Sequence, residues 1–350
     1  MKTIGIDLWD GQLRQGGNAQ TVMRPAVGSL PHLRRGIRDL FVETYSKFAP
    51  VCRTVDEPGV AIIAVDERTA RAAGIVKVLA RVGRPVAAIA GRHDQCDLYL
   101  RGNDGLALRQ FAVVVAPVTS WAPGAKGVQY RVMDLRTNDG MADEDGRMLR
   151  GIRAEGPSVL RCGGYTFFIV SLGDPTDWAP SALDAWEMMP ERVYFDELEV
   201  CAGGTAAKLR LPRNDLRQSY IFRTQGPRET GTINHTACGV VGNERDLAGR
   251  LEIQGPSRRV ILDVGHDALR DGVLLGRYGR CDASEALDDP SLSRVHALLV
   301  CEQDKLLVVD TASYNGTRIV GEHRSRVIEL DRALELQLGK HTRMRWHWLG

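Results

Sequence analysis

Short runs of β-branched and aromatic residues recur along most of the chain: FAVVV at 111–115, YTFFIV at 165–170, VILDV at 260–264 and LLVVD at 306–310. Each is bounded by Gly, Pro, Asn or Asp, the pattern of strands and turns in an antiparallel sandwich. The clearest helical period lies at 31–48, where Leu33, Ile37, Leu40, Phe41 and Tyr45 recur at spacings of three and four. The closing HTRMRWHWLG sets His341, Arg343, Arg345 and His347 against Thr342, Met344, Trp346 and Trp348. Basic and aromatic interleaving of this kind can bind nucleic acid. The period of two reads instead as a last sandwich strand. The fold class expected is mainly β, with one short helical segment near the start.

The chain also matches itself. An offset of 185 lays 91–115 over 276–300 without a gap, with eight identities in twenty-five. An offset of 176 then aligns Asp134 with Asp310, Gly140 with Gly316 and Gly163 with Gly339. The nine-residue difference falls in 116–129, whose Trp121, Pro123, Gly124 and Gly127 suit a surface excursion. Two copies of one β domain follow, at 59–173 and 251–350. An extension carrying the amphipathic helix occupies 1–58, and an irregular charged linker occupies 174–250. The linker opens acidic, with eight acids against Arg192 in 174–200, and turns basic across 208–228. These strips could dock within the chain or on a neighbouring subunit, though an ordinary solvated surface is the preferred reading.

At 350 residues the chain exceeds the size at which one core stops growing. Its 43% hydrophobic and 26% charged residues, with a net charge of +2, belong to a globular protein and demand no polyanionic partner. Residues 1–20 lack a basic-then-apolar leader, and no stretch approaches the roughly 20 apolar residues of a membrane span. The expected location is therefore cytoplasmic. Seven cysteines without a C-x-x-C pair argue against a disulfide framework and for a reducing compartment. His235 and Cys238 would make half a metal site, but no second half is visible, so a plain loop and no metal is the reading. Cys96 and Cys281, equivalent in the repeat, read as small buried hydrophobes. No P-loop, nucleophile elbow, H-E-x-x-H or kinase loop set occurs. Asp7, Asp10 and Gly11 form an isolated acidic turn. No catalytic residue and no cofactor is expected.

Polar signals converge in the second copy: Gly276-Arg277, then Ser293-Arg294-Val295-His296, then Ser313-Tyr314-Asn315-Gly316-Thr317. Singly, these are a turn with a solvated arginine, a core histidine and an Asn-Gly hairpin turn. Together they flank strands, at loops that a sandwich gathers at one end. Arginine offers a charged fork, serine a neutral donor, and asparagine both a donor and an acceptor for an extended peptide.

G-R, S-x-x-H and S-x-N-G-T in this order resemble the signature of forkhead-associated (FHA) domains, phosphothreonine-binding β sandwiches. The resemblance implies that Arg277 and Ser293 hold the phosphate, that Arg294 assists, and that Asn315 orients the peptide. It casts His296 as a loop brace, with Gly276 and Gly316 supporting the site. Tyr314 departs from the family's usual small hydroxyl residue, and its role stays open. In the first copy Arg92 and Arg109 persist opposite Arg277 and Arg294. Leu108 stands opposite Ser293, Phe111 opposite His296 and Asp139 opposite Asn315, which marks a degenerate copy.

The function implied is a phosphothreonine-dependent adaptor. Its partner is a phosphothreonine-containing protein, with a serine/threonine kinase upstream and neither nucleic acid nor membrane as ligand. A phosphate-independent scaffold and an enzyme with an unrecognised N-terminal activity are the alternatives.

Overall fold

The run GVAIIAVD at Gly59–Asp66 is apolar without alternation because both of its faces are covered. Val60, Ile62 and Ala64 enter the core between two sheets, while Ala61, Ile63 and Val65 meet a helix outside. This is a computed structural model. It describes residues 35–119, 127–192, 194–196, 223–224, 235–284, 287–330 and 334–349. Strand Gly59–Asp66 pairs antiparallel with Arg71–Leu79 on one side and Tyr165–Leu172 on the other. The facing sheet is built on Val86–Gly91, Phe111–Val115, Tyr130–Asp134 and Gly151–Ala154.

The second sandwich repeats this connectivity. Leu247–Gln254 lies between Arg258–Gly265 and Thr342–Trp348, and the facing sheet runs Val273–Leu275, Ala297–Glu302, Lys305–Asp310, Val327–Glu329. Three described strands lie within the stretch read as linker, and the short Arg223–Thr224 pairs antiparallel with His235–Val241. His235–Val241 pairs parallel with Arg258–Gly265, so His235 and Cys238 stand on a strand rather than in a loop. Tyr194–Asp196 adds to the edge of the first sandwich. The basic strip at 208–228, apart from 223–224, and Asp7, Asp10 and Gly11 lie outside the described residues.

The helix spans Ile37–Arg53, later than the apolar period suggests, and runs through Pro50 in its last turns. Leu40, Phe41, Phe48 and Cys52 face the sheet, joined by Trp178 and by Trp186 of the acidic stretch, which forms the helix Ala182–Met188. The Phe41 and Trp186 rings lie 5.2 Å apart. On the second sandwich the matching outer face alternates, and charged pairs such as Arg250–Asp263 at 2.7 Å take the place of a covering helix. In the closing strand Thr342, Met344 and Trp346 point inward while Arg343, Arg345 and His347 are exposed. Among the described residues no helix is long and apolar enough to cross a membrane.

The sandwiches meet sheet to sheet. Ala112, Val114, Met133 and Leu135 pack against Leu298, Val300, Leu307 and Val309 in one buried cluster. The polar rim is held by equivalent aspartates, Asp97 and Asp282, and by arginines from non-equivalent positions. Arg136 forks onto Asp282 with both contacts at 2.6 Å, and Arg326 reaches Asp97 and the Gln95 carbonyl, both at 3.4 Å. Each aspartate also caps a strand of its own sandwich, Asp97 taking the Ile89 amide and Asp282 that of Leu274.

Candidate functional site

The loops of the second sandwich that carry the singled-out residues converge at one end and are stitched together by hydrogen bonds. The Arg277 amide donates to the Ser293 carbonyl at 3.3 Å, and Arg277 Nε donates to the Leu292 carbonyl at 2.7 Å. That leaves the two Nη groups of Arg277 without a partner among the described residues. Gly276 lies against the Arg294 backbone, where a Cβ would overlap the Arg294 carbonyl oxygen. A side chain there would push the two loops apart.

The third loop closes on the second. Ser293 Oγ accepts from the Tyr314 amide at 3.0 Å, and Asn315 Nδ2 donates to the Ser291 carbonyl at 2.7 Å. Asn315 Oδ1 keeps no partner among the described residues. The guanidinium of the exposed Arg294 has no hydrogen bond or ion pair among them either. Gly316 has φ +76°, the left-handed conformation that an Asn-Gly turn uses. Asp310, at the end of strand Lys305–Asp310, anchors the loop from beneath. Its carboxylate accepts from the Ser313 amide, the Ser313 hydroxyl and the Thr317 hydroxyl at 2.8, 2.6 and 2.8 Å.

His296 is fully buried beneath these loops. Its Nδ1 accepts from the Ser293 amide at 3.0 Å, which requires the proton to sit on Nε2 and to point at the Gly316 carbonyl, 3.3 Å away. Burial, opposed by Asp310, pushes the imidazole pKa down, in keeping with this neutral ring. The histidine thus ties the serine loop to the asparagine loop without facing solvent.

Sequence reasoning passed over Arg324. Its Nη1 donates to the Tyr314 carbonyl at 3.2 Å, and its side chain lies over Gly316, so a third exposed arginine borders the site beside Arg277 and Arg294. The basic run His323-Arg324-Ser325-Arg326 was the available signal. Tyr314 projects outward, 72% exposed, at the rim. Among the described residues no three His, Cys, Asp or Glu are grouped to hold a metal.

Residues 273–339 match the model of the FHA domain family. This part of the chain is an FHA domain. Similar solved structures include the FHA-1 domain of Rv1747 from Mycobacterium tuberculosis, 21% identical, with a TM-score of 0.24 over 29% of this chain and 97% of that one. The Slr1951 protein of Synechocystis sp. is 20% identical, covering 30% and 98%, with a TM-score of 0.26. The FHA domain of CT664 from Chlamydia trachomatis is 23% identical, covering 28% and 96%, with a TM-score of 0.23. No curated protein matches the chain.

The first sandwich is a degenerate FHA-like copy, and its bonds correct the gap-free pairing. Arg92 Nε donates to the Leu106 carbonyl at 2.7 Å as Arg277 does to Leu292, and the Arg92 amide donates to Ala107 as that of Arg277 does to Ser293. The second copy is therefore one residue longer between Asp282 and Asp289 than the first between Asp97 and Asn103. Past that insertion Ala107, not Leu108, matches Ser293, Leu108 matches Arg294, and Gln110, not Phe111, matches His296. Gln110 does the histidine's work: Oε1 accepts from the Ala107 amide at 2.9 Å and Nε2 donates to the Gly140 carbonyl at 3.1 Å. Phe111 packs in the core against Phe167, with ring centroids 5.0 Å apart. Arg109 matches Val295 and leaves its own sandwich altogether, donating to the Thr311 and Ala312 carbonyls. The loop brace has survived in this copy, whereas the serine hydroxyl, the second arginine and the asparagine have not.

Proposed function

We propose that the protein is a phosphothreonine-dependent adaptor in serine/threonine kinase signalling, with the FHA domain as reader and the first sandwich as pseudo-reader. The observation that carries this is the cluster of unspent donors at one end of the FHA domain. Arg277 Nη, Arg294 and the Ser293 hydroxyl proton stand together over a loop closed by His296, with the Asn315 amide alongside. A phosphate dianion takes charge-assisted forks and hydroxyl donors, and an extended peptide takes the free acceptor of Asn315. In this reading Arg277 and Ser293 hold the phosphate, Arg294 assists, Asn315 orients the main chain, and Gly276, His296 and Gly316 support them. The protein acts by binding and not by catalysis, and a separate kinase in the same cytoplasmic compartment makes the ligand.

A degenerate phosphothreonine peptide library passed over the full chain should yield bound sequences that their unphosphorylated forms do not reproduce. Phosphatase treatment of a captured protein partner should then release it. A partner held equally well after phosphatase would replace the reader with a phosphate-independent scaffold.

A further inference from the structure

The loop that carries Tyr314 and Asn315 is held in part by the other sandwich. Arg109, only 8% exposed, crosses the interface and donates from Nε to the Thr311 carbonyl at 2.5 Å and from Nη2 to the Ala312 carbonyl at 2.6 Å. Those two carbonyls immediately precede Ser313. Ala312 has φ +60° and its equivalent in the first sandwich, Arg136, has φ +54°, so this left-handed turn belongs to the loop both copies share. Asp310, whose carboxylate shapes the loop, is tied across the same interface. Arg326 bonds both the Asp310 carbonyl, at 2.9 Å, and Asp97 of the first sandwich.

The two sandwiches are not held alike: in return the first sandwich's loop receives Arg280, which donates to the Arg136 carbonyl at 3.1 Å from a different position. At the pseudo-twofold position of Arg109 the FHA domain has Val295, packed among the apolar interface residues. Packing alone is therefore served by a valine, and a buried guanidinium costs desolvation that only strong acceptors offset. Here the acceptors are the carbonyls of the reader's own loop.

We propose that the degenerate sandwich is a built-in positioning element for the phosphothreonine site, with Arg109 holding 311–315 in the conformation that accepts peptide. The proposal rests on the phosphothreonine reading above. Arg109 touches no peptide itself; it is a positioning residue. A loop only fractionally in its competent state lowers apparent affinity by that fraction.

The test uses the full chain and a fluorescein-labelled peptide selected from the phosphothreonine library. Four variants are compared: Arg109→Ala, Arg109→Lys, Met133→Ala and Arg277→Ala. Met133 is buried in the same interface but touches no loop carbonyl in the bonds described, so Met133→Ala lowers thermal stability without loosening 311–316. Arg109→Ala should weaken binding about 10-fold, as for a loop competent about a tenth of the time. It should also speed amide exchange at 311–316. Arg109→Lys, with one compact donor group, should recover part of the loss. Wild-type affinity and loop exchange in Arg109→Ala, with binding still lost in Arg277→Ala, would overturn the positioning role and leave the reader intact. An equal loss of affinity in Met133→Ala would reduce Arg109 to a structural contact and overturn it too. If no library peptide binds the wild type, or Arg277→Ala binds normally, the reader fails and this inference fails with it.

Discussion

His296 and Gln110 are two answers to one problem, a buried backbone amide and a buried carbonyl that must be satisfied together. Each side chain accepts with one atom and donates with another, at 3.0 and 3.3 Å for His296 and at 2.9 and 3.1 Å for Gln110. His296→Gln should therefore keep most of the stability and peptide affinity, whereas His296→Ala should cost about 1–3 kcal/mol by leaving both groups unpaired. The two should also differ in pH dependence. The folded-state pKa of His296 is lowered, so its contribution is present above the ordinary value of 6.5 and is lost as pH falls through the folded pKa. Asp134 has the opposite slope, since burial raises its carboxyl to about 6 and its contribution is lost as pH rises through that value. The difference in melting temperature between wild type and His296→Gln cancels Asp134, and should shift in favour of the glutamine variant as pH falls below 6.5. A constant difference from pH 8 to pH 5 would contradict the neutral buried ring.

At the scale of elements, the strands were legible because β-branched runs announce themselves, and the closing alternation of Thr342, Met344 and Trp346 with arginines fixed its own faces. The unalternating runs held more than was drawn from them. FAVVV and the LLVV before Asp310 are apolar at every position because one face enters a core and the other enters the joint between sandwiches. The single inserted residue between Asp282 and Asp289 escaped detection because Arg109 happens to fall under Arg294 when no gap is allowed. Hydrogen bonding, which defines the true register, is invisible to residue identity. Strand His235–Val241 was hidden for a related reason, since a strand paired in parallel carries no hairpin turn linking it to its neighbour. The close approach at Gly276 gives the loop-level prediction. A Cβ would overlap the Arg294 carbonyl, so Gly276→Ala should separate the arginine and serine loops and weaken peptide binding more than it lowers melting temperature. Wild-type affinity in Gly276→Ala would show that the two loops do not act as a unit.

Across the whole molecule, one fold has been used twice with different outcomes. Both copies keep the glycine-arginine turn, the buried brace and the aspartate-anchored third loop. The FHA domain alone adds Ser293, Arg294 and Asn315, and the chain's motif for them was readable because family order and spacing survive there. The interface that joins the copies was not readable, because Asp97, Asp282, Arg136 and Arg326 are far apart in sequence and each resembles a solvated charge on its own. The central claim is that phosphothreonine is read by the second copy and not the first. Titration calorimetry with one phosphothreonine peptide, and its unphosphorylated form as control, tests this on Arg277→Ala, Ser293→Ala and Arg92→Ala. A hydrogen bond to a charged group is worth about 1.5 to 3 kcal/mol, so Arg277→Ala and Ser293→Ala should each weaken binding about 10- to 100-fold. Arg92→Ala should leave affinity at the wild-type value; binding abolished by Arg92→Ala and spared by Arg277→Ala would contradict the assignment of reader and pseudo-reader.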